Sequence, residues 1–243
     1  MHTKKVIFWL LLFPTLAFGQ TKNILNTFRV FAKNDKVVEF EKALANHAQK
    51  FHSGDWKWRV WSIDTGPDAT GYMITEGPNS WEQIDTRNDI SALHTADWET
   101  NVAPLTTGSS MGITGYYTFM SDLSTVQLTD YADKILINHM TAKPGKINAA
   151  KDLITKLKKV WENGMEAVAV YSLTASGEPG YTTETRLKGG FKELDEGFRK
   201  PLQERYMETY GQGSFANYLK DYEEAVDKRW SELLIYQPRL SSK

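Results

Sequence analysis

Residues 25–63 and 135–173 carry the same pattern without a gap at an offset of 110 positions, so the two stretches must fold alike. In the first copy Asn34-Asp35-Lys36 opens a helical stripe of Val37, Phe40, Leu44 and Phe51. In the second, Pro144-Gly145-Lys146 opens one of Ile147, Ala150, Ile154, Leu157 and Trp161. Apolar residues three and four apart line one face of an α-helix. Gly54 and Gly164 close the helices, where a left-handed cap is cheapest. Thr27–Phe31 and Ile135–Met140 read as strands before the helices, and Trp56–Ile63 and Glu166–Leu173 as strands after them.

The parallel continues. Gly66-Pro67-Asp68 and 176–180 are turns, and Gly71–Glu76 pairs with Gly180–Thr185 as a third strand. Trp81–Asp85 and Phe191–Asp195 read as short helical turns, and Gly115–Met120 and Glu232–Gln237 as fourth strands. Each copy follows the order β-α-β-β-α-β, the ferredoxin-like plan. The units span residues 20–124 and 125–243, and the second carries a helical insert, 199–229, with Phe215, Tyr218, Leu219, Tyr222 and Val226 along one face.

Tandem units of this order resemble the dimeric α+β barrel superfamily, with its antibiotic-biosynthesis-monooxygenase-like, EthD-like and NIPSNAP-like families. The resemblance covers residues 24–240 and rests on element order and repetition. It implies an α+β fold in which two ferredoxin-like units join their sheets into a pseudo-dimeric barrel. Its members include cofactor-independent oxygenases, haem-degrading enzymes, dye-decolorising peroxidases and proteins of no known activity, and fold alone does not choose among them.

Ahead of the repeat, Lys4 and Lys5 precede an apolar run from Val6 to Phe18, and Ala17-Phe18-Gly19 places small residues at a signal-peptidase site. Residues 1–19 are therefore expected to be a Sec-type signal peptide, and the mature chain periplasmic or extracellular, with no membrane span. The chain contains no cysteine, which removes disulfides, thiolate nucleophiles and cysteine-ligated metals. A net charge of -1 gives no field suited to nucleic acid.

Alternation along the strands selects the candidate site. Lys57, Arg59, Trp61 and Ile63 share one face of the second strand, paralleled by Ala167, Ala169, Tyr171 and Leu173. Arg29 and His139 occupy equivalent positions in the two copies of the first strand. In the second copy's third strand, Glu184 shares its face with Thr182 and Arg186. Arg29, Arg59, Trp61, His139, Tyr171 and Glu184 are the candidates to surround a ligand between the sheets. Arginines would hold an anionic group and aromatics would cover a ring, and His139 is the candidate general base. The competing reading is an interior ion-pair network.

The remaining histidines favour no metal. His47 falls on the apolar stripe as a core residue, and His52, five positions on, does not share its helix face. His94 and Asp97 are a pair without a third ligand. Trp56, Trp58 and Trp61, and the tyrosines 206, 210, 218 and 222, read mainly as packing residues. No phosphate loop, dinucleotide fingerprint, nucleophile elbow or His-Glu-x-x-His motif is present. No cofactor is expected. Three functions remain: an exported small-molecule-binding protein, a cofactor-independent monooxygenase or isomerase-like enzyme using His139, and an interaction protein docking through 199–229.

Overall fold

The computed structural model describes residues 21–87, 90–108, 114–175 and 177–243. Residues 1–19, read as the signal peptide, lie outside the described residues. The first unit contains β1 (Ile24–Val30), α1 (Val37–Phe51), β2 (Trp58–Ile63), β3 (Tyr72–Asn79), α2 (Trp81–Asp85), α3 (Ala92–Asp97) and β4 (Gly115–Phe119). The second contains β5 (Lys134–Ala142), α4 (Ile147–Asn163), β6 (Val168–Leu173), β7 (Gly180–Arg186), α5 (Leu202–Tyr210), α6 (Ser214–Ala225) and β8 (Val226–Tyr236).

The strands close into one barrel in the order β1-β3-β2-β8-β5-β7-β6-β4. Each unit contributes the same four-strand order, fourth-first-third-second, and the two units meet at β2–β8 and β4–β6. The registers at these seams correspond. Trp61 pairs with Tyr236 and Ile63 with Leu234, as Tyr171 pairs with Phe119 and Leu173 with Tyr117. The duplication thus reaches the level of individual strand pairs, and closure leaves neither unit an open edge.

The helices cover the outside of the barrel, and the apolar stripes of the sequence explain how. Phe40, Leu44 and Ala48 of α1 pack on Trp58, Val60, Tyr72 and Ile74. Ala150, Ile154 and Trp161 of α4 pack on Val168, Val170 and Tyr181. In the insert, Tyr206 of α5 and Tyr218 and Ala225 of α6 are buried against Leu153 and Val160 of α4. The apolar face of the insert is occupied by its own unit. Among the described residues no helix is long and apolar enough to cross a membrane.

Three local expectations change. β8 begins at Val226 and not at Glu232, because Val226 and Lys228–Ser231 pair along β5 from Ala142 to Asn138, with Asp227 at a register shift, although Asp227, Lys228 and Arg229 are exposed. The ladder decides that stretch where side-chain polarity does not. α1 ends at Phe51, with His52 already extended at φ -114° and ψ 107°, two residues before Gly54. α4 ends as expected at Gly164, but Gly164 has φ -85° and the left-handed residue is Met165 at φ 51°.

Candidate functional site

Alternation places the site chemistry inside the barrel. Arg29 on β1 and His139 on β5, the equivalent residues of the repeat, both reach the carboxylate of Glu232 on β8. Arg29 donates to Glu232 at 2.5 and 2.8 Å, and to Asp68 of the β2–β3 loop at 2.8 Å. The Nε2–H of His139 donates to Glu232 Oε1 at 2.6 Å, which leaves Nδ1 toward the Thr182 hydroxyl at 3.5 Å. Trp230, opposite His139 on β8, stacks on its ring at 4.5 Å and 8°. Glu232 is wholly buried. Burial alone would raise its carboxyl, but the hydrogen bonds and charges of Arg29 and His139 hold it down at about 2. Glu232 is therefore an anion at every physiological pH, with Arg29 as its counter-ion.

A second interior cluster is built on β7. Arg186 pairs with Glu184 at 3.1 Å and donates to the Tyr171 hydroxyl at 3.3 Å. The same guanidinium holds the backbone carbonyls of Gln127, Leu128 and Asp130, which straps the β4–β5 connection onto the barrel. Arg59 donates to the Gly77 carbonyl at 3.1 Å and lies 4.0 Å over the ring of Tyr131 in that connection. Burial pushes the Glu184 carboxyl up despite Arg186 beside it, and pushes the Tyr171 hydroxyl up strongly.

Four of the six candidate residues, Arg29, His139, Tyr171 and Glu184, line one interior cavity with Tyr117, whose hydroxyl burial pushes up to about 12. Trp61 packs instead among Ile63, Met73, Ile135, Ile137 and Leu234, and Arg59 is held against Tyr131. The cavity has a volume of about 30 Å³, room for about one water molecule. The ion-pair network fills the space between the sheets, and no ring-sized ligand fits there.

A space larger than that cavity lies across the sheet. A cleft of about 260 Å³ separates the outer face of β5 and β7 from the helices of the second unit. Asn138, Met140 and Thr183 form its floor, Leu157 and Trp161 of α4 one wall, and Tyr218 and Tyr222 of α6 the other. Arg229 and Trp230 stand at the β8 side. Arg229 is exposed and has no ion-pair partner among the described residues. His139 belongs to the lining of both the cavity and the cleft, so it is the one candidate that links them.

The three tryptophans of the β2 region separate. Trp58 lies under α1, Trp61 faces the interior, and Trp56 sits in a short turn with Arg87 4.5 Å over its ring. His47, His52 and His94 come together on the outer side of the first unit, with Asp97 hydrogen-bonded to His47. Their separation in sequence and the end of α1 at Phe51 hide this from a helix-periodicity argument.

Several residues of the cavity region and the cleft escape the sequence reading. Glu232 carries a signal in hindsight, since alternation puts it on the inward face with Leu234 in a strand otherwise rich in leucine. Asp68 lies in a turn and carries none. The cleft residues are legible only as helix stripes, because which helix covers which sheet face is a tertiary fact.

No protein-family model and no curated protein matches the chain. Solved structures do resemble it. A candidate monooxygenase of Fusobacterium nucleatum matches with a TM-score of 0.51 at 14% identity, over 88% of this chain and 91% of that one. An anthrone oxidase-like protein matches with a TM-score of 0.55 at 11% identity, over 88% and 90%. A candidate chlorite dismutase matches with a TM-score of 0.51 at 8% identity, over 89% and 96%. At these identities the likeness is one of fold, and the chain has the dimeric α+β barrel fold within a single polypeptide.

Proposed function

We propose that the protein is an exported binder of a small aromatic or polycyclic molecule carrying an anionic group, held between the second unit's sheet and α4–α6. The observation that carries this reading is the 260 Å³ cleft with aromatic walls and Arg229 at its side. Apolar walls with a few placed polar groups are the usual make-up of a small-molecule site. Neighbours described as a monooxygenase and as anthrone oxidase-like are consistent with an organic ligand.

A thermal-shift screen of aromatic carboxylates and phenols tests it. Hits should lose about tenfold in affinity in Arg229→Ala, the loss expected of one charge-assisted hydrogen bond. They should bind Arg59→Ala as they bind the unaltered protein. The reverse pattern would move the ligand to the Arg59–Tyr131 contact at the β4–β5 connection. Export rests on residues 1–19, and mass spectrometry of the secreted chain should find Gln20 at the N-terminus. An intact Met1 on the exported protein would remove that part of the proposal.

A second reading, a cofactor-independent oxygenase or isomerase-like enzyme, has one observation in its favour. Glu232 fixes the Nε2–H tautomer of His139, leaving Nδ1 as the basic atom, on a residue that lines the cleft. It requires that His139→Gln abolish turnover of a phenolic or enolisable hit and leave its binding intact. Equal turnover by the variant would exclude it.

A further inference from the structure

His47, His52 and His94 come from two stretches of chain. His47 is in α1, His52 is the residue that ends it, and His94 is in α3. One ring nitrogen from each comes within 4.8 Å of the other two, and Nε2 of His52 and Nε2 of His94 are 3.3 Å apart. Two imidazole nitrogens bound tetrahedrally to one metal at 2.0–2.1 Å stand about 3.3 Å apart, so this edge already has the required length. Closing the third ligand onto it, from 4.8 Å at most, needs a movement of up to about 1.5 Å.

The outward nitrogen of one ring is held by a carboxylate, and that of a second faces one. His47 Nδ1–H donates to Asp97 Oδ2 at 2.9 Å, and Asp97 is steadied by Asn101 at 3.2 Å and Lys50 at 3.6 Å. That bond fixes the tautomer and leaves His47 Nε2 with a lone pair, fully buried and with no hydrogen-bond partner. His52 Nδ1 stands 3.3 Å from Glu76 Oε2, not aligned as a hydrogen bond. Arg87 grips Glu76 with two bonds of 2.6 and 2.9 Å, and Trp58 Nε1–H donates to the same carboxylate at 2.9 Å. Carboxylates behind imidazoles are how metal-ligating histidines are oriented.

The surroundings favour the neutral ring, which is the form that ligates. Trp58 stacks on His52 at 3.6 Å, and Trp98 and Phe51 stand 5.3 and 5.1 Å from His47. Burial, foremost, holds all three imidazoles below the ordinary histidine range. His47 and His52 are buried and His94 is half-buried, so one side of the cluster meets solvent.

The geometry points to a binding site for one first-row divalent cation, Zn²⁺ foremost, formed by His47, His52 and His94 with a fourth position open beside His94. Three imidazoles with no thiolate suit Zn²⁺ and its neighbours over Mg²⁺ or Ca²⁺. The alternative, a packed cluster of hydrogen-bonded histidines, leaves His47 Nε2 buried and unmet. The site belongs to the first unit and is separate from the cleft of the second, so it stands whether or not that cleft binds a ligand.

The test is calorimetric titration of the chelator-stripped protein with Zn²⁺. One equivalent should bind and raise Tm. His94→Ala, the variant at the half-buried position, should lose at least tenfold in affinity and keep the Tm of the metal-free protein. Asp97→Asn should weaken binding by about tenfold by loosening His47. Electron paramagnetic resonance of the Cu²⁺-loaded unaltered protein supplies a reading independent of any variant's folding, with three ligated imidazoles expected. Absence of uptake, full affinity in His94→Ala, or fewer than three imidazoles would overturn the proposal.

Discussion

At the scale of single residues, the barrel interior turns on Glu232. Its carboxylate is wholly buried, ionised, and bound by two side chains that the repeat places at equivalent positions. Glu232→Gln removes one partner of a buried pair and leaves Arg29 with only Asp68, which should destabilise by about 3–5 kcal/mol in urea unfolding at pH 7. The pH dependence has a definite sign. With the folded value near 2 against 4.5 for an ordinary glutamate, the group stabilises above about pH 4.5, and that contribution is lost as pH falls through 2. Unfolding curves between pH 5 and 2 should show a loss of about 3 kcal/mol in the unaltered protein and a flatter profile in Glu232→Gln. Identical slopes would deny Glu232 this role. Arg29 and His139 are legible in the sequence because duplication and alternation set them on one face. Their partner is less so, since Glu232 has Gly115, and not a carboxylate, as its counterpart in the first unit.

At the scale of elements, the repeat keeps what the packing requires. A glycine opens the third strand in both copies. A side chain on Gly71 would meet the Phe31 ring at 2.5 Å, and one on Gly180 would run into the Met140 backbone carbonyl across the β5–β7 ladder. Gly180→Ala should therefore force β5 and β7 apart and destabilise by about 1–3 kcal/mol, read as a lower Tm. An unchanged or higher Tm would mean that the ladder yields freely there. The faces of α1 and α4 follow from periodicity in residues such as Phe40, Leu44, Ile154 and Trp161, and that of α6 from Phe215, Tyr218 and Tyr222. Element ends follow less well. Lys228 and Arg229, expected as the end of the helical insert, are held as strand by pairing with Thr141 and Met140 of β5. His52 is displaced from the α1 face by one residue of extended backbone, and that displacement is what brings it to His94.

At the scale of the whole molecule, the two units share one closed sheet, and the space between them is taken up by side chains. The sequence shows which residues face inward, but the room they leave depends on the sum of their volumes and pairings, which no single strand reveals. Glu232, Asp68, Arg186 and the β4–β5 connection fill it to about 30 Å³. Ligand-sized space forms instead where the insert of the second unit stands off its own sheet. The central claim is thus that a small molecule binds outside the barrel, under α6, and not within it. A crystal structure with the tightest hit from the screen tests this most directly. Density between Trp161, Tyr222 and the outer face of β5, with the Arg29–Glu232 bonds intact, is the predicted result. Density beside Arg29 and Tyr171, with that ion pair broken to admit the ligand, would contradict it.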